Sequence, residues 1–116
     1  MIRLKIENFW NGFDYNNDHF VDIIKSALNA KIVDSNPDII LYSIFGWRND
    51  NQRPACWDVN VPRICWVGEA ISDKKINQIL DQGDYLLYSK RINHPRYLRL
   101  TIPESYNWYG HDPSTL

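Results

Sequence analysis

The run Ile39-Ile40-Leu41-Tyr42-Ser43-Ile44-Phe45 is the stretch that decides the fold. Its apolar residues follow one another without alternating with polar ones, which is typical of a strand covered on both faces. A turn-forming sequence at residues 35–38 precedes the run, and Gly46 ends it. A second such stretch, residues 62–67, is apolar from Ile64 to Val67 and ends at Gly68-Glu69. Two such runs predict central strands of a parallel sheet.

Shorter patterns around these two runs predict strands alternating with helices. Residues 2–7 alternate apolar and polar, as a half-buried strand does. Asp18 can cap a helix over residues 19–29, whose predicted apolar face comprises Phe20, Ile23, Ile24, Ala27 and Leu28. The remaining predicted elements are a short strand at 31–33, a helix at 72–80 with Ser72 as its cap, a strand at 85–88 and an extended segment at 96–100. This order favours an α/β fold with a mostly parallel sheet flanked by helices.

Length and charge limit the classes of function. The 116 residues are 44% hydrophobic and contain no internal repeat or linker, so we expect one α/β domain over residues 1–116. The net charge of -1 provides no basic field for nucleic acid, so we expect no nucleic-acid partner. The apolar runs are far shorter than the roughly 20 residues of a membrane span, and the N-terminus has no signal-peptide pattern. We therefore expect a soluble, cytoplasmic chain.

Metal and nucleotide sites find no support in the motifs. Cys56 and Cys65 form no disulfide framework, so two free thiols are expected. The three histidines have no metal-ligand spacing to a Cys or a carboxylate, and no metal is implied. No Gly-rich phosphate loop is present, so we expect this chain to bind no cofactor by itself.

Aromatic residues are unusually frequent, at 14% of the chain. Several lie in polar, loop-like contexts at residues 9–13, 45–47 and 106–109. Aromatic rings pack on the C–H face of a sugar ring while polar neighbours bond its hydroxyls, so this pattern suits glycan recognition. The alternative, that these rings cover a small core, stays open for each of them.

Glu69 is a candidate general base. A buried strand that ends in Gly-Glu delivers a carboxylate to the carboxyl edge of a sheet, where Gly68 allows close approach of a substrate. From spacing alone, a Gly-Glu after a strand is more often a helix-capping or surface carboxylate than a base. One of Arg96 and Arg99 is expected to pair with a buried carboxylate such as Glu69 or Asp84 and the other to be solvated, with substrate contact as the less favoured alternative.

Five segments in order resemble one known family. They are Phe-Trp-Asn-Gly-Phe at 9–13, Pro-Asp-Ile-Ile-Leu-Tyr-Ser-Ile-Phe-Gly at 37–46, Ile-Cys-Trp-Val-Gly-Glu at 64–69, Gly-Asp-Tyr-Leu-Leu at 83–87 and Arg-Tyr-Leu-Arg-Leu at 96–100. From residue 2 to about residue 109 the chain resembles the N-terminal domain of the α-1,3/4-fucosyltransferases of glycosyltransferase family ten.

The resemblance implies a Rossmann-like domain equivalent to the N-terminal, acceptor-side half of a GT-B glycosyltransferase. It implies that Glu69 is the general base of inverting fucose transfer, and that Trp10, Phe13, Trp47 and Arg48 line the acceptor cleft. GDP-fucose would bind a C-terminal donor domain that we expect to be absent from these residues. Ala70 departs from the family, in which Asn usually follows the Glu.

The expected function is therefore that of an acceptor-binding half, inactive alone, whose partners are a glycan acceptor and a separate donor domain. Whether the chain itself acts as an enzyme stays open. The alternatives are a standalone glycan- or protein-binding domain without catalysis and a relic that binds nothing. A missing partner should leave an exposed apolar patch, which a standalone domain should lack.

Overall fold

A computed structural model of the protein describes residues 1–9, 12–44, 54–68, 71–88 and 92–99. Of Arg99, only the backbone is described. Six strands and two α-helices are described. In chain order they are β1 (Ile2–Glu7), α1 (His19–Leu28), β2 (Ala30–Ile32), β3 (Ile39–Ser43), β4 (Arg63–Val67), α2 (Asp73–Asp81), β5 (Tyr85–Tyr88) and β6 (Tyr97–Arg99), with 3-10 turns at Tyr15–Asn17 and Ala55–Asp58.

The strands form one sheet in the order β2-β1-β3-β4-β5-β6, and every strand pair in it is parallel. The predicted α/β fold with a Rossmann-like sheet is therefore confirmed. The two predicted central strands, at residues 39–45 and 62–67, became β3 and β4, which lie side by side at the centre of the sheet. Their central position explains the lack of alternation, because both of their faces are covered.

Each face of the sheet carries its own core. Ile40 and Tyr42 of β3 point to the α2 side, where they pack with Ile76 and Ile79. Leu41, between them in sequence, points to the α1 side and packs with Phe20, Val21, Leu4 and Trp66. Cys56 and Cys65 are both buried in the α2-side core and both are free, as expected.

Helix α1 begins and ends at residues suited to those positions. The Asp18 carboxylate accepts hydrogen bonds of 3.0 Å from the backbone N–H groups of Phe20 and Val21, which confirms the predicted cap. Asn29 takes a left-handed conformation with φ of 50° and ends the helix after Leu28, one residue before the predicted end.

The predicted buried face of α1 was partly wrong. Ile23 is 48% exposed and Ala27 is exposed, whereas Val21 is fully buried. Each residue advances about 100° around a helix, so Val21 and Leu28 lie on one side of the apolar stripe and Ile23 lies on the other. The sheet covers the side that carries Val21.

Helix α2 connects β4 to β5. The Ser72 side chain accepts a hydrogen bond of 3.2 Å from the backbone N–H of Lys75, so the predicted cap is confirmed, and the helix begins at Asp73. Gly83, with φ of 83°, turns the chain into β5 in a conformation that side chains rarely adopt. No helix among the described residues is long and apolar enough to cross a membrane.

Candidate functional site

The carboxyl ends of β1 and β3 form a topological switch point. Helix α1, which follows β1, packs on one face of the sheet. Ile44 and the turn at Ala55–Asp58, which follow β3 among the described residues, pack on the other face. Strands β1 and β3 are nevertheless neighbours. In open α/β sheets a crevice opens at such a point, outside the carboxyl ends of the strands, and ligands bind there.

A side chain from β3 joins the two strand ends at this crevice. The Ser43 hydroxyl donates a hydrogen bond to the backbone carbonyl of Asn8. Asn8 follows β1 with φ of 60°, a left-handed conformation that Asn tolerates better than most residues. The β1–β3 register pairs Glu7 with Tyr42, so Asn8 and Ser43 are the next residues along the two strands. The hydrogen bond therefore links the first residue pair beyond the β1–β3 ladder.

An aromatic cluster stands beside the switch point on the α1 face. Phe9 and Phe13 stack with ring centroids 4.4 Å apart and planes 14° apart. Trp66 of β4 lies beneath them, with its ring centroid 5.3 Å from that of Phe9 and 6.3 Å from that of Phe13. Phe20 of α1 packs on Trp66 at 5.7 Å. Trp66 and Phe20 are buried, while Phe9 and Phe13 are only half-buried.

The structure defines the end of β4 and the start of the segment that leads into α2. Val67 is the last residue of β4 and is buried, and the exposed Gly68 follows it. The backbone N–H of Ile71 donates a 3.4 Å hydrogen bond to the hydroxyl of Tyr88, the last residue of β5. The described residues on either side of positions 69 and 70 therefore lie at the carboxyl ends of β4 and β5.

Of the five predicted site residues, the structure describes Phe13. Its ring belongs to the aromatic cluster at the switch point. Glu69, Trp10, Trp47 and Arg48 lie outside the described residues, so their roles stay predictions.

The sequence reasoning missed Asn8 and Ser43. The only signal for Asn8 was an Asn directly after an alternating strand, a position where left-handed backbone is common. The contact with Ser43 depends on the register of β1 against β3, which the sequence does not reveal.

The opposite, amino end of the sheet holds a buried ion pair. Arg63 Nε donates to Asp84 Oδ1 at 2.6 Å, and the Tyr42 hydroxyl donates to Asp84 Oδ2 at 2.5 Å. Trp57 Nε1 in turn donates to the Tyr42 hydroxyl at 2.9 Å. The guanidinium of Arg63 also donates to the carbonyls of Val59 at 2.7 Å and Gln82 at 3.1 Å. Burial raises the pKa of the Tyr42 phenol far above its usual value.

This network rules out one form of the expected arginine pairing, that of Arg96 with the Asp84 carboxylate. The guanidinium of Arg96 donates to the backbone carbonyls of Leu80 at 2.6 Å and Asp84 at 3.2 Å, and the Asp84 carboxylate is paired with Arg63 instead. The β4–β5 register pairs Ile64 with Tyr85, so Arg63 and Asp84 are neighbours at the start of the two strands, and Arg63 is the arginine that pairs with the Asp84 carboxylate. The side chain of Arg99 lies outside the described residues.

Charge near the switch point is balanced locally. Lys5 Nζ lies 2.7 Å from Glu7 Oε1, and the hydrogen bond to Glu7 is the largest cause of a raised pKa for Lys5. Within the described part of the chain, no three His, Cys, Asp or Glu side chains converge as metal ligands.

Comparison with known proteins identifies the family. The family model described as the alpha-(1,3)-fucosyltransferase FucT N-terminal domain matches residues 4–109, nearly the whole chain. Neither the curated proteins nor the solved structures give a significant match. The matched residues contain most of β1, all the other strands, both helices and the aromatic cluster. The chain therefore belongs to the family of alpha-(1,3)-fucosyltransferase N-terminal domains.

Proposed function

We propose that this chain is the acceptor-binding half of an inverting fucosyltransferase, which transfers fucose from GDP-fucose to a glycan. The observation that carries the proposal is the family match over residues 4–109. The switch point supports it, because the fold offers a crevice there and the chain supplies half-buried aromatic rings beside it.

Glu69 is the proposed general base. Gly68 and Ile71, which flank positions 69 and 70, lie at the carboxyl ends of β4 and β5, the edge at which α/β sheets bind their ligands. The Glu69 carboxylate takes the proton from the attacking hydroxyl of the acceptor. The freed oxygen bonds to the anomeric carbon of fucose as the bond from that carbon to the GDP phosphate oxygen breaks. GDP leaves, and the configuration at the anomeric carbon inverts.

Phe13, Trp10, Trp47 and Arg48 are proposed to line the acceptor cleft. Phe13 stacks on Phe9, and this pair offers an apolar surface to the C–H face of a sugar. Trp10 follows Phe9 in the chain, and Trp47 and Arg48 follow the end of β3. Because β1 and β3 are neighbouring parallel strands, their carboxyl ends lie side by side at the switch point. Ala70 gives Glu69 a different neighbour from the Asn that the family resemblance leads us to expect.

The donor site is proposed to lie outside these 116 residues, in the second domain of a GT-B arrangement. No Gly-rich phosphate loop occurs in the sequence, and the net charge of -1 offers little attraction to a diphosphate. The chain alone is then expected to bind acceptor glycans without turning over GDP-fucose.

The test is an acceptor array that includes N-acetyllactosamine glycans, read beside a transfer assay. Transfer is measured for the isolated chain and for a chimera that carries the donor domain of a characterised fucosyltransferase. Glu69→Gln should lower the chimera's transfer rate by about 100-fold or more, because a general base contributes that much, and acceptor affinity should stay the same. Asp81→Asn, which removes an exposed carboxylate from α2, is the matched control.

Each other outcome removes one part of the proposal. Unchanged transfer by Glu69→Gln would end the base role of Glu69. Turnover by the isolated chain would contradict an external donor site. Silence on the array would reject the acceptor role and favour a protein-binding domain or a relic.

A further inference from the structure

Two half-faces of the sheet are left without a helix from the described part of the chain. Helix α1 packs beside β2 on one face, and α2 packs beside β5 on the other. The α2 side of β1 and β2 and the α1 side of β5 and β6 therefore have no described helix above them. Their residues are of opposite character.

The half-face on β1 and β2 is charged. It consists of the residues that alternate with the buried ones on these strands, namely Arg3, Lys5, Glu7 and Lys31. Lys5 and Glu7 pair across it at 2.7 Å, and Arg3 pairs with Asp38 at 3.3 Å. Such a surface is stable in water and needs no cover.

The half-face toward β6 is apolar. It consists of Ile64, Tyr85, Leu87 and Leu98, and we call it the β4–β6 apolar face. Tyr85 is 41% exposed and Leu98 is 40% exposed, while Ile64 and Leu87 are partly buried at the margin of the α1-side core. Exposed apolar residues that continue a core, on a sheet whose other bare half is charged, indicate a covering partner.

We propose that the β4–β6 apolar face is the docking surface for the segment that follows β6, residues 100–109 of this same chain. Leu98 belongs to the face, and the chain continues from Arg99 directly into that segment. The family match extends to residue 109, so these ten residues belong to the same domain as the sheet. None of the ten is Lys or Arg. Five carry large aliphatic or aromatic side chains, namely Leu100, Ile102, Tyr106, Trp108 and Tyr109.

The segment has the reach that the proposal requires. Neighbouring strands lie about 4.8 Å apart, so crossing from β6 to β4 requires roughly 10 Å. Ten residues span about 15 Å as a helix and about 33 Å when extended. The other side of β6 is already in use, because Tyr97 packs into the α2-side core. The α1 side is therefore the face on which the segment can bury apolar surface.

A second copy of the chain fits this face less well. Side chains of this size present roughly 200 Å² when fully exposed, so the four together expose about 300 Å². Stable interfaces bury about 800 Å² per partner. A tethered segment needs far less area, because its effective concentration near the face is high.

Hydrogen exchange on the full chain tests the proposal. In the wild-type chain, backbone amides of residues 100–109 should exchange at least about 10-fold more slowly than in an unstructured peptide of the same sequence. Leu98→Glu places a charge in the middle of the face, so this protection should fall toward that of the free peptide, and binding of a hydrophobic dye should rise. Tyr85→Glu is a second variant with the same expected result.

Ile23→Glu is the matched control. It introduces the same charge at an apolar residue of α1 that is 48% exposed and is not one of the four residues of the face, and it should change neither readout. Wild-type exchange at the unstructured rate would overturn the proposal, as would protection that persists in both folded face variants. Protection that depends on protein concentration, together with a dimer in sedimentation, would assign the face to a second copy instead.

Discussion

At the amino end of the sheet, Arg63, Asp84, Tyr42 and Trp57 hold one another by hydrogen bonds in a buried site. At the carboxyl end, the half-buried rings of Phe9 and Phe13 lie beside the ends of β1 and β3. The hydrogen bond from Ser43 to the Asn8 carbonyl joins these two strand ends. The donors and acceptors of the first region are used within the protein, which suits stability. In the second region Phe9 and Phe13 are only half-buried, so part of their ring surface is exposed, which suits binding. The predictions below test this separation.

Asp84→Asn should have the largest effect on stability. Arg63 would keep its charge in a site where it is 8% exposed and would lose its ionised partner. Breaking a buried ion pair in this way costs about 3–5 kcal/mol in the free energy of unfolding. Urea denaturation measures the loss, and the acceptor affinity of the folded variant should not change.

Asp38→Asn is the control for this change. Asp38 accepts bonds from Arg3, as Asp84 does from Arg63, but both side chains are 45% exposed, so solvent should make the loss small. A folded Asp84→Asn variant with weakened acceptor binding would show that the two ends of the sheet are coupled.

Alkaline pH should weaken the core beneath α2. Burial raises the pKa of the Cys56 thiol from 9.0 to about 12, and burial also raises the pKa of Cys65. The folded chain therefore holds these protons more tightly than the unfolded chain does. Their contribution to stability is complete below pH 9 and is lost as the pH rises toward 12. Each thiol adds a slope of up to about 1.4 kcal/mol per pH unit to the free energy of unfolding.

Denaturation curves between pH 8 and 11 measure this slope. Cys56→Ala removes one of the titrating groups and should make the slope shallower, while Cys65 and Tyr42 retain part of it. An unchanged slope in Cys56→Ala would mean that ionisation of the Cys56 thiol does not contribute to the pH dependence of the free energy of unfolding.

The amount of this structure that could be predicted differs between the two regions for a physical reason. The runs that became β3 and β4 carry their signal locally, since strands covered on both faces are continuously apolar. The caps Asp18 and Ser72 are local signals too, and both were predicted. The ion pair of Arg63 with Asp84 and the contact of Ser43 with Asn8 join residues 21 and 35 positions apart. They arise only from strand register, which no single segment encodes.

The same reasoning explains the partial error in α1. The apolar residues of this helix cover more than one face, and Ile23 fits the helical period as well as Val21 does. Only the position of the sheet decides which of the two is buried.

Phe13→Leu should lower acceptor affinity by about 10-fold while costing less than about 1.5 kcal/mol of stability. The substitution keeps an apolar side chain in the cluster but removes the flat ring that stacks on Phe9. Titration of the chain with an acceptor glycan measures the affinity. Phe20→Leu is the control, because Phe20 contacts the same Trp66 but is 5% exposed and cannot reach a ligand. Equal affinity losses in the two variants would argue for a general disturbance of the cluster.

Ser43→Ala should change stability only modestly, and it tests most directly where the acceptor binds. It removes the hydroxyl that donates to the Asn8 carbonyl, which should cost about 1 kcal/mol. Ser72→Ala removes the cap of α2 and should cost a similar amount, also about 1 kcal/mol, at a distance from the switch point. If the acceptor binds in the crevice between β1 and β3, only Ser43→Ala should weaken it. Equal affinities in the two variants would mean that loss of the contact between Ser43 and Asn8 has no effect on binding. The acceptor would then be placed nearer the end of β4.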